Sequence, residues 1–454
     1  VDPLLTDLYE FTMAAALVAE GRGAAPATFS LFVRNLPPNR GYLVAAGLHD
    51  VVRFLRGWRF DDDDVARLAA TAPFDPAFLD WLRGVRFTGR VRAVPEGRLV
   101  FGSEPLLEID APLAEAQLLE TVLLTSMTFP TVVATKTARC REAAGGAALV
   151  DFGLRRASGA DAGLSLTRAA AITGFTATSN VAAAARYGLR ASGTMAHSYV
   201  TAVAGNSPAG ELEAFRSFAR HYGGDPVLLV DTWDTATGIG HAVTVARELA
   251  AGRLGGGRRR LAGVRLDSGD VVDLAQRARH EFDAAGLADV AVFVSGGLDE
   301  FEIARIRAAG APVDGFGVGT NVATSADAPT LESVYKLVAV DGRPMAKHST
   351  GKATLPGPKQ VWRRPGFGGD VLALADEACP VPGAEPLLVE VDLHSEGGWA
   401  ETDDAGAVAA ARERFEADWS RLPPEHKHLT NPTGYGVEVS EGLRALSRGR
   451  FAPG

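Results

Sequence analysis

The sequence predicts an α/β fold: an irregular α/β barrel, with a second, discontinuous α+β domain built from the N- and C-terminal segments. Three observations predict it. From Gly146 onward, short apolar runs alternate with helical stretches for about two hundred residues, which is the rhythm of a parallel sheet. Every run ends in polar or glycine residues. The segments before and after lack this rhythm and carry antiparallel and amphipathic patterns instead. The resulting boundaries are 1–124 for the N-terminal part, 125–344 for the catalytic barrel, and 345–454 for the C-terminal segment that packs with the N-terminal part.

In chain order, "DDDDVARLAA" is an acidic helix start that suits the helix dipole. "FDPAFLDWLRGV" is a short helix with Asp75 as N-cap, Pro76 in the first turn, and Phe78, Leu79 and Leu82 inward. Phe87 to Ile109 alternates as antiparallel strands. "LAEAQLLETVLLTSMTF" is a long apolar helix expected to stop near Pro130, with a second helix over "ATKTARCREAAG".

Seven candidate strands follow: "AALVDFGLRR", "ITGFTATSN", "ASGTMAHS", "VLLVDTWD", "LAGVRLDSGD", "VAVFVSGGLD" and "DGFGVGTN". No GxGxxG follows a strand, which argues against a dinucleotide fold. In the tail, "PLLVEVDL" is a strand, and "AVAAARERFEADWSRLP" is a helix with Phe415 and Trp419 inward.

The composition is that of a globular protein, 46% apolar and 22% charged. A net charge of −9 argues against nonspecific nucleic-acid binding. No run of eighteen apolar residues spans a membrane. The start, "VDPLLTDLYEF", lacks a basic n-region and a signal-like apolar core, and two cysteines make no disulfide framework, so the expected compartment is cytoplasmic. Only six of the 46 basic residues are lysine, and four of those lie between Lys336 and Lys359. A basic segment in an acidic chain suggests a polyanion site or a solvated loop.

In a βα barrel all strand C-termini open on one face, where the active site lies. His197, Asp267 and Arg155 would then converge. The ends "SGGLDE" and "GFGVGTN" suit phosphate, because glycine lets backbone N–H groups approach an anion. Asp267 in "RLDSGD" suits a sugar diol, or Mg²⁺ through water; Asp270 suits a helix cap. Together these features suggest a phosphosugar with more than one phosphate group.

"LLTDLYEFTMAAAL", "DFGLRRA", "TATSNVAAA", "GTMAHSYV", "DTWDT", "VRLDSGD", "SGGLDE", "GVGTN" with "VYKLVAV", and "GKATLPGPKQVWR" resemble, in order and over nearly the whole chain, the nicotinate phosphoribosyltransferase family. The resemblance implies transfer of phosphoribosyl from phosphoribosyl pyrophosphate to nicotinate, with pyrophosphate leaving with Mg²⁺ help. It implies ATP hydrolysis through a phosphorylated His197, and a homodimer with shared sites. Phe152 would stack on one face of the pyridine, and Tyr9 would cover the other from the partner subunit. Arg155 and Arg265, with Ser179 as a neutral donor, would meet the carboxylate. Asp267 would bind ribose, and Gly296, Gly297, Gly317, Gly319 and Thr320 would cradle the 5′-phosphate. Lys136, Arg139, Lys347, Lys352 and Lys359 would neutralise pyrophosphate or ATP phosphates, with Arg34 and Arg40 as weaker candidates. Asp231 and Asp234 are candidate partners of His197.

Other readings fit less well. Nicotinamide phosphoribosyltransferase resembles this architecture but carries an Asp where Ser179 stands and an acid where Ala196 stands. A non-catalytic phosphosugar-binding barrel would not need His197, Asp267 and the lysines together. An aldolase would want a strand-end lysine, and none lies between Lys136 and Lys336.

Overall fold

A computed structural model describes residues 2–255, 257–347, 354–393 and 404–449. Lys352 lies outside the described residues. The chain divides into two compact units, Val1–Thr135 with Ala328–Gly454, and Lys136–Asp327. Among the described residues no helix is long and apolar enough to cross a membrane.

The first unit is built on an antiparallel sheet. Its strands run in the order Arg343–Pro344, Ser333–Val340, Pro26–Val33, Pro105–Pro112, Arg90–Ala93 and Val389–Val391. The "VYKLVAV" strand, placed within the 125–344 barrel by the sequence rhythm, pairs here with Pro26–Val33 instead, with Phe29 opposite Leu337 and stacked on Tyr335 at 4.8 Å. Helix Pro76–Gly84 starts as expected, with Asp75 accepting from Ala77 N and Phe78 and Leu82 buried. Asp61 and Asp64 form a reciprocal capping box at the acidic helix start. A smaller sheet holds Glu385–Pro386, Lys359–Arg363, Asp370–Leu374 and Val437–Val439. Helix Asp404–Arg421 buries Phe415 and Trp419.

Pro130 does not stop its helix. One helix runs from Glu120 to Ala144 with Pro130 inside it. The missing N–H loosens one turn, but side chains of the next turns bind a neighbouring strand. Thr131 Oγ1 accepts from Ala46 N and donates to Ala46 O, and Thr135 Oγ1 accepts from Val44 N. Tertiary contacts therefore outweigh the local break.

The second unit carries seven strands in one parallel sheet, six of them within the expected runs. Their order is Arg190–Ala191, Ala177–Thr178, Ala148–Asp151, Gly315–Val318, Ala291–Ser295, Gly263–Leu266 and Val227–Leu229. The sheet is curled into half a barrel rather than a closed one. Its two end strands are only two and three residues long, and no ladder joins them among the described residues. "ASGTMAHS" is mostly loop: its strand is Arg190–Ala191, and His197 opens the helix His197–Val203.

Candidate active site

The ends of the parallel strands form a connected polar chain. Helix His197–Val203 presents the imidazole, whose Nδ1 lies 3.1 Å from Thr232 Oγ1 and whose Nε2 lies 4.0 Å from Asp231 Oδ1. Asp231 is buried; its Oδ2 accepts from Asp267 N at 2.9 Å and from Ser268 Oγ at 2.7 Å. The Asp267 carboxylate accepts a short bond from the buried Ser295 hydroxyl. Next comes Gly296, at φ 93°. A Cβ there would lie 2.2 Å from the Asp267 carbonyl oxygen, so glycine is required by both conformation and space. Asn321 Nδ2 then donates to the carbonyls of Gly297 and Leu298, tying the two glycine turns together. His197, Asp267, Gly296 and Gly297 thus share one rim. Asp234 is an N-cap, accepting from Thr237 N, and Asp270 likewise caps its helix.

A cavity of about 320 Å³ is lined by Arg265 and Gly317 from the parallel strands, by Phe152 directly after one of them, and by Tyr222, Asp225 and Arg260 from the segments that precede two of them. Phe152 forms one wall, and its ring packs so closely on Gly317 that a Cβ there would lie 2.3 Å from it. The Arg265 guanidinium sits 5.7 Å from the Phe152 ring centre and donates to Met195 O at 2.9 Å. Its buried Nε has no hydrogen-bond partner. Burial pulls the Arg265 pKa down, against the opposing pull of Asp267 and Asp231. Arg190 and Arg260 also line the cavity; its one acid, Asp225, is paired with Arg260 at 3.0 Å. The walls therefore carry an excess of positive charge around an aromatic slot.

Several expected residues lie elsewhere. Ser179 is half-buried at its strand end, with its N–H bonded to Asp151 O. Arg155 is exposed in the single turn Leu154–Arg156, outside the cavity wall. Gly319 sits beside Phe152 O, and Thr320 is exposed at the start of the next short helix.

The expectations for Lys136, Arg139 and Lys359 need correction. Lys136 is 1% exposed, and its ammonium is held by Glu300 at 2.5 Å and Asp327 at 2.6 Å. Arg139 is equally buried, with Nε 2.7 Å from Glu300. Lys359 is buried against Glu108 and donates to the carbonyl of Gly357, and burial lowers its pKa. A buried cation needs such partners to offset its desolvation, so these three charges serve packing rather than a phosphate. Lys347 belongs to the first unit and is exposed.

Tyr9 also belongs to the first unit and is 45% exposed on helix Leu8–Ala19, beside exposed Leu5, Leu8 and Met13. Its neighbour Glu10 is buried, accepting from Thr121 N and Thr121 Oγ1. Burial, with a contribution from nearby Glu120, raises the Glu10 carboxyl from 4.5 to about 7. The folded state therefore favours the neutral form, and stability is lost as pH rises from about 4.5 through 7. Glu10→Gln is expected to flatten that loss by on the order of 2 kcal/mol, read as urea unfolding at pH 5 and pH 8. Equal pH dependence in both proteins would refute the assignment.

Thr232, Ser295, Asn321 and Asp151 escaped the sequence reading. Each is a polar residue at or just after a strand end, the same signal that singled out His197 and Asp267.

An aromatic slot, glycine turns and an imidazole near a carboxylate, all carried by one parallel sheet, are the features of an α/β enzyme. Three stretches match known domains: residues 4–128 the N-terminal domain of nicotinate phosphoribosyltransferase, 147–361 the nicotinate phosphoribosyltransferase family, and 384–447 the C-terminal domain. Nicotinate phosphoribosyltransferase pncB2 of Mycobacterium tuberculosis is 44% identical over 98% of this chain and 93% of its own. The nicotinate phosphoribosyltransferase of Homo sapiens is 37% identical over 98% of this chain and 96% of its own. The crystal structure of human nicotinic acid phosphoribosyltransferase superposes with a TM-score of 0.84 at 35% identity, covering 98% of this chain and all of that one. The chain belongs to the nicotinate phosphoribosyltransferase family.

Proposed function

We propose that this enzyme transfers phosphoribosyl from phosphoribosyl pyrophosphate to nicotinate. The nicotinate ring nitrogen attacks C1, the C1–O bond to pyrophosphate breaks, and nicotinate mononucleotide and pyrophosphate form. The carrying observation is the slot of Phe152 and Arg265 with its surplus of guanidinium groups, which suits a flat anion. Ser179 and Ala196 carry no charge, as the nicotinate reading requires. Asp267 takes the ribose diol, and the Gly296–Gly297 and Gly317–Gly319 turns take the 5′-phosphate. NAD biosynthesis is the process this product feeds.

ATP is the second substrate in this reading. Asp231 beside Nε2 favours the proton on that nitrogen, which leaves the Nδ1 lone pair next to Thr232. A neutral imidazole nitrogen can attack the γ-phosphorus, releasing ADP and leaving a phosphohistidine. Mg²⁺ would fit one oxygen of this donor set: Asp231 Oδ1 is buried without a hydrogen-bond partner. Mg²⁺ held through one or two carboxylates and substrate phosphates would offset the charge of the leaving pyrophosphate. The exposed Leu5, Leu8 and Met13 around Tyr9 support a homodimer in which the partner subunit's Tyr9 closes the slot. A cytoplasmic location fits a soluble substrate set.

The test is a comparison of bases. Nicotinate is expected to exceed nicotinamide in kcat/KM by at least about 100-fold, since a site built to pair one charged group rejects the analogue lacking it. Comparable values would defeat the reading and favour the nicotinamide enzyme. Binding of phosphoribosyl pyrophosphate without turnover of either base would favour a non-catalytic barrel.

A further inference from the structure

We propose that Asp151 is the positioning residue of the base slot: its buried carboxylate locks the two strand ends that carry Phe152 and Ser179. The inference rests on the reading that nicotinate binds against Phe152. Val150 and Phe152 line the cavity, and in an extended strand the residue between them points to the opposite face. Asp151 is 1% exposed. One oxygen accepts from Gly153 N at 2.8 Å, and the other from Thr167 Oγ1 and Thr178 Oγ1, both at 2.7 Å. Its backbone carbonyl accepts from Ser179 N at 2.8 Å. Thr178 Oγ1 also accepts from Asn180 N, and Asn180 Oδ1 caps the helix Val181–Tyr187 through Ala183 N.

The three donors to this carboxylate are neutral. A buried carboxylate so held is costly unless its bonds are strong, and bonds to an ionised acceptor are about twice as strong as neutral ones. The donors are not scattered. Gly153 directly follows Phe152, Thr178 directly precedes Ser179, and Thr167 belongs to the helix Ala160–Ile172 behind both. One carboxylate thus fixes the backbone next to Phe152 and the strand end that carries Ser179, without itself lining the cavity. It makes none of the contacts in the chain from His197 to Asn321, so its influence falls first on the base. A misplacement of about 1 Å in such a group costs about 100-fold.

The test is Asp151→Asn, which keeps shape and removes charge. KM for nicotinate is expected to rise about 10- to 100-fold, with kcat within about threefold, and with KM for phosphoribosyl pyrophosphate and ATP-dependent labelling of His197 unchanged. Thr178→Val, which keeps Asp151 and removes one donor, is expected to raise the same KM about fivefold; it decides the matter if the first variant does not fold. An unchanged nicotinate KM, or a parallel loss of all three readouts, overturns the proposal. Phe152→Ala separates the two layers. If it raises the nicotinate KM while Asp151→Asn does not, the positioning role alone fails. If it leaves that KM unchanged, the slot assignment fails and takes this role with it.

Discussion

His197→Ala is expected to abolish incorporation of phosphate from γ-labelled ATP and to lower kcat/KM for nicotinate by about 100-fold. The imidazole Nδ1 lies 3.1 Å from Thr232 Oγ1, and its Nε2 lies 4.0 Å from the Asp231 carboxylate. Both groups follow the strand Val227–Leu229. The His197 side chain is 44% exposed, which leaves room for a phosphoryl group. In the proposed reading alanine removes the acceptor of the phosphoryl group, so acid-labile label is expected to vanish altogether. Transfer of phosphoribosyl itself survives, because the slot, Asp267 and the glycine turns remain. A loss of about 100-fold is what removing one preorganised charge-stabilising group costs. Mapping decides the matter: acid-labile phosphate on any other residue, or undiminished labelling in the variant, removes His197 from this role.

How much of this was legible in the sequence depended on the range of the interactions involved. The alternation of short apolar runs located six of the seven parallel strands, because a largely buried strand needs little beyond local apolarity; the seventh, Arg190–Ala191, is exposed and only touches the run assigned to it. Asp75 and Asp270 were legible as caps because capping is a contact over two or three residues. The rim was legible in part: polar strand ends identified His197 and Asp267, but not which of several neighbours would reach them. Asp231 and Asp234 were equal candidates, and only the fold turns one toward the imidazole and the other into its own helix. Lys136 and Lys359 misled for the same reason. Lys136 and Glu300 are far apart in sequence, and rarity of lysine does not reveal a buried partner. Pro130 failed in the opposite direction: the local rule was sound, and distant threonine contacts overrode it. Barrel closure was beyond reach, because two-residue strands look like any other strand until their neighbours are known.

Asp267→Ala is expected to reduce kcat/KM for phosphoribosyl pyrophosphate by about 10³-fold while leaving the labelling of His197 within a few fold of the parent. The residue is fixed from three directions: its N–H donates to Asp231, its carboxylate accepts from Ser295, and its carbonyl abuts Gly296. One carboxylate oxygen is thus committed to a buried hydroxyl and the other is left for substrate. Hydrogen bonds to a charged group contribute about 1.5–3 kcal/mol each. Losing two from the ribose diol gives about 3–6 kcal/mol, or roughly 10² to 10⁴ in rate. Alanine also strips the Ser295 hydroxyl, 4% exposed, of its acceptor, so part of the loss is structural. Ser295→Ala isolates that part and is expected to cost about tenfold. If Asp267→Ala proves no worse than Ser295→Ala, the carboxylate serves only to order the turn, and the ribose must be held elsewhere. A double variant that equals Asp267→Ala alone would place both groups on one path, with Ser295 acting through the carboxylate it orients.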